Sequence, residues 1–306
     1  MIKARVVRIN RKEFDCLCED QKTISCSALG NILRDQESVV VGDFVEIKDG
    51  QIVKVLSRTN EIFRNNIREG KRKITASNCD LLVIVMSASL PEYKRGLIDR
   101  YLVRAYQWGI TPIIVMNKMD EFDGSKFDID FEFFRLEDLG LKTFKICAKD
   151  LDSLEELKNE LKNKTSILVG QSGVGKSKII SGLTGGEISL KSAELGKVGK
   201  GAHTTTWCEI VHSKDLVVID SPGIRSFNVD DILQEELMGF FPDVEKTSLK
   251  CKFPNCTHEP EAKGCAFSLL NPDDIKSKAL LSRLDSFMRM LDEVAQIPDW
   301  QKKSQK

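Results

Sequence analysis

The sequence predicts a multidomain protein: a small N-terminal β-barrel, a central α/β unit and a C-terminal, mainly helical unit. Three observations carry this reading. Short stretches of roughly alternating polar and apolar residues fill the first 60 positions. From about residue 78, continuous apolar runs alternate with helical patterns. After about residue 230 those runs stop, and apolar residues recur at helical spacing. The three units are expected at 1–65, 66–232 and 233–306.

Bulk composition narrows the partners. The chain has 306 residues, 41% hydrophobic and 30% charged, which is ordinary globular composition. Its 46 Lys and Arg balance 46 Asp and Glu, so any nucleic-acid contact must come from local patches. The first 75 residues carry a mild surplus, fifteen basic against eleven acidic. No apolar run approaches the roughly 18 residues of a membrane span. The longest is Leu81-Leu82-Val83-Ile84-Val85-Met86, and the segment Met1 to Arg5 has no apolar signal core after its charges. A cytoplasmic monomer with no membrane partner is expected.

In the N-terminal unit, Ala4 to Ile9 and Phe14 to Cys18 alternate with period two. Val39 to Ile47 follows with a Gly42-Asp43 turn inside it, and Ile52 to Leu56 comes after the Asp49-Gly50 turn. Four or five short strands at this spacing suggest an OB-fold, with an SH3-like barrel as the alternative. The basic stretch Arg64, Arg68, Lys71, Arg72, Lys73 reads either as a solvated linker or as an RNA-phosphate contact.

In the central unit, buried-type strands are expected at 80–86, 112–116, 143–147, 166–169, 207–212 and 216–219, with helices including 96–107 and 153–161. Gly170-Gln171-Ser172-Gly173-Val174-Gly175-Lys176-Ser177 follows the fourth strand and precedes a helical pattern, Lys178 to Leu183. That context makes it a phosphate-binding loop. Its N–H groups and the helix N-terminus favour a phosphate, Lys176 reaches the β- and γ-phosphates, and Ser177 holds Mg²⁺. Asp220-Ser221-Pro222-Gly223 ends the last strand. There Asp220 suits Mg²⁺ held through water, and the Gly223 N–H can sense the γ-phosphate.

Asn117-Lys118-Met119-Asp120 separates GTP from ATP. The Asp120 carboxylate accepts two hydrogen bonds from guanine, a pair that adenine cannot offer. Cys147-Ala148-Lys149 is the weaker companion, a backbone N–H aimed at the guanine oxygen. Together these motifs predict a GTPase that binds GTP and GDP. Their order is unusual: the guanine-reading pair precedes the phosphate loop, so the topology is circularly permuted, with helix 153–161 as the join. One consequence is that the segment after Asp220 leads straight into the C-terminal unit.

Gly199-Lys200-Gly201-Ala202-His203-Thr204-Thr205-Thr206 is the expected switch, with Thr205 favoured over its two neighbours for Mg²⁺. Ile224 occupies the place where many GTPases carry a water-orienting glutamine, so His203 is the nearest sequence candidate for that task. His212, on a strand, reads as structural. Nine cysteines remain to be explained. Cys251, Cys256, His258 and Cys265 supply three thiolates and one imidazole, a complete tetrahedral set for structural Zn²⁺. The other six read as small buried hydrophobes.

The motifs at Gly170 to Ser177, Gly199 to Thr206, Asp220 to Gly223 and Asn117 to Asp120, the cluster Cys251, Cys256, His258, Cys265, and Leu97 to Val103 together resemble the ribosome small-subunit-dependent GTPase A family (RsgA/YjeQ) over nearly the whole chain. The resemblance implies an N-terminal OB-fold, late assembly of the small ribosomal subunit, rRNA contact, and slow GTP hydrolysis stimulated by that subunit. It implies a catalytic switch histidine, which falls on His203. Cys147 stands where serine is usual, and Ser181 where asparagine often follows the phosphate loop. Two other functions share these motifs: a GTPase acting on another RNA or protein, and an RNA-binding module in which the nucleotide is only structural.

Overall fold

The computed structural model of the protein describes residues 1–10, 13–30, 39–66, 71–186, 209–213, 215–220, 228–259 and 261–302. Five short strands come first: β1 (Ile2–Asn10), β2 (Glu13–Cys18), β3 (Thr23–Ala28), β4 (Phe44–Lys48) and β5 (Gln51–Val55). They close in the order β1-β2-β3-β5-β4-β1, with β3 and β5 as the parallel pair. This is the five-stranded barrel expected of an OB-fold. Alternate residues point inward, so Val6, Phe14, Cys16, Cys26, Val45, Ile47 and Ile52 fill the interior. Cys16, Cys18, Cys26 and Cys79 are buried, as small apolar groups would be.

The described residues of the basic stretch after the barrel lie in an antiparallel strand pair, β6 (Glu61–Asn66) and β7 (Lys71–Ser77), where an open linker was one expectation; Arg68 lies outside the described residues. Its charges hide an apolar face in the sequence: Ile62 and Phe63 are buried. Arg72 stacks 3.4 Å from the Phe63 ring and pairs with Glu61 at 3.1 Å. The Trp108 indole N–H donates to the Phe63 carbonyl at 3.0 Å. Buried Asp43 ties barrel to hairpin, accepting from Arg58 at 2.7 and 2.9 Å, from the Ser77 hydroxyl at 2.6 Å and from the Val40 N–H at 2.8 Å.

The central sheet comprises β8 (Leu81–Ser87), β9 (Thr111–Asn117), β10 (Lys142–Lys145), β11 (Thr165–Val169), β12 (Glu209–Ser213) and β13 (Leu216–Asp220). Its order is β10-β9-β8-β11-β13-β12, parallel except for the edge strand β12. All seven residues of β8 are buried, because helices cover both faces. Leu82, Ile84 and Met86 pack with α1 (Arg95–Trp108) and α2 (Ile129–Glu137). Leu81, Val83 and Val85 pack with α3 (Glu155–Leu161) and α4 (Lys176–Leu183). The connection from β10 to β11 runs through α3, the join that the permuted motif order requires. At the far edge β12 pairs with β1, Arg8 opposite Glu209, so barrel and sheet are continuous.

The C-terminal unit packs α5 (Pro242–Ser248) and α6 (Ile275–Ala295) around Phe241, Val244, Phe287 and Met290, with Val103 contributed by α1. Helix α6 starts after Pro272-Asp273-Asp274, with the Asp274 carboxylate accepting the Ser277 N–H at 2.9 Å. No helix among the described residues is long and apolar enough to cross a membrane.

The segment following the Asp220 loop is fastened from three sides. Arg104 of α1 binds the Asn228 carbonyl and the Asp231 carboxylate. The Asn65 N–H of the hairpin reaches the same carboxylate at 2.8 Å. Lys302, near the C-terminus, donates to the Ile232 carbonyl at 2.9 Å.

Asp99 is the buried hub between the sheet unit and the C-terminal unit. It accepts from Arg135 at 2.9 Å, Arg283 at 2.6 Å and the Ser286 hydroxyl at 2.5 Å. Burial pushes its carboxyl up, but the two guanidinium groups outweigh burial and hold it below the ordinary carboxylate range. Its contribution is therefore full at neutral pH and is lost only as pH falls through that lowered value. Replacing one member of such a cluster strands the others. Asp99→Ala is expected to destabilise the fold by about 3–5 kcal/mol, measurable as a lower urea midpoint for tryptophan fluorescence.

Candidate functional site

Parallel strands end at one edge, and that edge gathers the motifs. Cys147-Ala148-Lys149 follows β10, and Asn117-Lys118-Met119-Asp120 begins at the last residue of β9. Gly170 to Ser177 follows β11 and enters α4, and Asp220 ends β13. The Asn117–Asp120 and Cys147–Lys149 loops therefore stand at one end of the edge and the Gly170–Ser177 loop towards the other, although the chain visits them in swapped order.

Backbone geometry in the phosphate loop demands glycine at two points. Gly170 has φ +147°, and a Cβ there would lie 2.2 Å from the Val85 carbonyl oxygen. Gly175 has φ +101°, and its Cβ would lie 2.3 Å from the Asn117 amide nitrogen. Gln171, Ser172 and Gly173 form the turn over buried Val174. Lys176 folds back and donates to the carbonyls of Gly170 at 2.7 Å and Gln171 at 2.9 Å. Ser177, in the first turn of α4, is exposed.

Asn117 fastens three loops together. Its amide nitrogen donates to the Val174 carbonyl at 2.8 Å, and its amide oxygen accepts the Ala148 N–H at 3.0 Å. The side chain is 2% exposed, so neither group it pairs has water as an easy substitute. Lys118 sits in the left-handed region, φ +63°, and its ammonium donates to the Leu90 carbonyl. The Met119 N–H donates to the Ile146 carbonyl at 3.2 Å, which docks the loop on the end of β10.

Asp120 carries the exposed carboxylate of this cluster. Lys149 reaches it at 2.8 Å and reaches Glu121 at 2.9 Å. The Lys149 bond, followed by the Cys147 thiol, holds Asp120 below the ordinary carboxylate range. The two carboxylates in turn raise the Lys149 ammonium. All three groups are charged at neutral pH.

Several residues here escaped sequence reading. The Ser153 hydroxyl donates to the Cys147 carbonyl at 2.8 Å and accepts the Cys147 N–H at 3.0 Å, closing the loop. The Ser89 hydroxyl donates to Glu121 at 2.6 Å, so the loop after β8 braces the turn that carries Asp120. A serine just ahead of a helical pattern was the available signal for Ser153; nothing in the sequence pointed to Ser89. His203, Thr205 and Gly223 lie outside the described residues.

In the C-terminal unit, the ligand atoms of Cys251, Cys256, His258 and Cys265 all lie within 4.8 Å of one another. His258 Nδ1 is 3.6 Å from Cys251 Sγ and 3.8 Å from Cys265 Sγ. Tetrahedral zinc with ordinary bond lengths puts such atoms about 3.6 Å apart, so the set fits. The Ala266 N–H donates to Cys251 Sγ at 3.3 Å, the kind of outer support that ligand sulfurs receive.

The family model described as RsgA GTPase matches residues 55–230. The chain belongs to the RsgA GTPase family. A small ribosomal subunit biogenesis GTPase RsgA of Bacteroides fragilis is 32% identical over 305 residues, covering 95% of this chain and 97% of that protein. Among solved structures, YjeQ from Thermotoga maritima has a TM-score of 0.75 at 25% identity, covering 96% of this chain and 98% of that one. YloQ, described as a circularly permuted GTPase, has a TM-score of 0.70 at 27% identity, covering 97% and 96%. The barrel, the permuted sheet and the helical C-terminal unit are thus those of RsgA GTPases.

Gly175→Ala would place a methyl group against the Asn117 amide at a φ that L residues rarely adopt. The variant is expected to bind GDP at least about tenfold more weakly, the equivalent of about 1.4 kcal/mol, as read by calorimetric titration.

Proposed function

We propose that the protein is a GTPase that binds the small ribosomal subunit and hydrolyses GTP during its late maturation, with rRNA contact through the barrel and the zinc-binding unit. The observation that carries this is the Asn117 pair of hydrogen bonds, which holds the guanine-reading loops and the phosphate loop in one site. The names of the curated relatives support the ribosomal partner.

In this reading Asp120 accepts the guanine donors, while the backbone at Cys147, Ala148 and Lys149 lines the base. Because Lys149 already holds Asp120, guanine binding must share or displace that contact. Gly170 to Gly175 offer backbone N–H groups to the phosphates, and Lys176 exchanges its two carbonyl partners for phosphate oxygens. Ser177 and Thr205 hold Mg²⁺, which neutralises triphosphate charge, with Asp220 behind it; the Gly223 N–H senses the γ-phosphate. With Ile224 unable to orient water, His203 takes that task. Cys251, Cys256, His258 and Cys265 hold one structural Zn²⁺, with no open position for chemistry.

Two measurements test this. GTP turnover is expected to rise when isolated small subunits are added, and absence of stimulation would sink the ribosomal reading. His203→Ala is expected to keep GTP affinity while losing stimulated turnover; unchanged turnover would remove the histidine from catalysis. For the metal, elemental analysis should find one zinc per chain, falling well below one in Cys256→Ala.

A further inference from the structure

Glu121 follows Asp120 directly on the short turn Met119–Glu121, and its N–H donates to the Lys118 carbonyl at 2.9 Å. Its two carboxylate oxygens have different partners. Oε2 accepts the Ser89 hydroxyl at 2.6 Å, and Oε1 accepts the Lys149 ammonium at 2.9 Å. The same ammonium reaches Asp120 Oδ2 at 2.8 Å. Loops that leave β8, β9 and β10 therefore meet at two carboxylates and one cation.

Ser89 is itself held in place. Its N–H donates to Ser87 Oγ at 3.2 Å, and the Ser87 hydroxyl donates to the Leu90 carbonyl at 3.0 Å. The Lys118 ammonium donates to that same carbonyl. The loop after β8 is thus joined to the Asp120 turn at two points, through Lys118 and through Glu121. The Ser89 bond, followed by Lys149, holds the Glu121 carboxyl below the ordinary carboxylate range, so it is ionised at neutral pH. Its charge and its aim at Lys149 are set before any nucleotide arrives.

This geometry bears on guanine recognition. Asp120 has to offer both oxygens to the N1–H and the 2-amine of the base, yet Oδ2 already carries an ammonium. With a single acid at the site, guanine would have to expel that ammonium into water and break its ion pair outright. With Glu121 alongside, Lys149 need only release one of two carboxylates, and it keeps a charge-assisted hydrogen bond while guanine takes the other.

We infer that Glu121 is a positioning residue for guanine binding: it retains Lys149 when the base occupies Asp120, and Ser89 fixes its carboxylate for that task. The role rests on the reading above, in which Asp120 accepts the guanine donors. Glu121 acts through Lys149 and has no contact of its own with the base.

The test is calorimetric titration of the full-length protein with GDP in four forms: wild type, Glu121→Gln, Lys149→Gln and the double variant. Both side chains are exposed, and glutamine preserves their bulk while removing charge, so all four forms should share one urea midpoint. Glu121→Gln is expected to bind GDP about threefold to fivefold more weakly, the scale of an exposed ion pair. In the Lys149→Gln background the same change should have almost no effect, because no ammonium remains to be retained. Ser89→Ala should weaken GDP binding by a smaller factor, an effect that should vanish in the Glu121→Gln background. Wild-type GDP affinity in Glu121→Gln would overturn the role while leaving the guanine reading of Asp120 intact. An equal loss with and without Lys149 would mark a general field or structural effect and overturn it as well. Wild-type protein that binds ADP as tightly as GDP would instead sink the guanine reading, and this role with it.

Discussion

The two hydrogen bonds of Asn117, to the Val174 carbonyl and from the Ala148 N–H, fasten loops that leave three different strands. In the permuted chain the Val174 loop is separated from the other two by the join through α3, so chain connectivity alone does not fix their spacing. Buried hydrogen bonds of this kind contribute about 1 kcal/mol each, but a partner left unsatisfied costs about 1–3 kcal/mol. The amide therefore sets the distance between the Ala148 loop and the Val174 loop. Gly175 is part of the same constraint, because only a residue without a side chain lets the phosphate loop come so close to Asn117.

Permutation also changes what the nucleotide can move. In this chain β13 is the last strand of the sheet, and the segment after it passes directly to Asn228 to Ile232. There Arg104, Asn65 and Lys302 hold it against α1, the hairpin and the C-terminus. The Asp231 carboxylate, bound by both Arg104 and Asn65, is the point at which α1 and the strand pair β6–β7 meet this segment.

Much of this was readable from sequence because the relevant signals are local. A glycine-rich turn between an apolar strand and a helix, a strand ending in Asn117, and a helix cap at Asp274 each depend on a few neighbouring residues. The buried-strand pattern of Leu81 to Met86 and the barrel alternation are equally local. What escaped is long-range. Asp43, Asp99 and Asp231 look like ordinary surface acids in the sequence, and only tertiary packing makes them buried hubs. The hairpin at Glu61 to Ser77 was obscured because its exposed face is cationic. Helix α2 gave little warning, since Glu132 and Arg135 interrupt its apolar face, yet both are buried there as partners of Tyr93, Arg95 and Asp99.

The claim beneath all of this is that one nucleotide spans a pocket built from two chain segments in exchanged order. A crystal structure with a non-hydrolysable GTP analogue and Mg²⁺ tests it most directly. The account predicts guanine on the Asp120 carboxylate, the triphosphate on the loop ending at Lys176, and both Asn117 hydrogen bonds retained. Guanine bound away from Asp120, or a phosphate loop separated from Asn117, would contradict it.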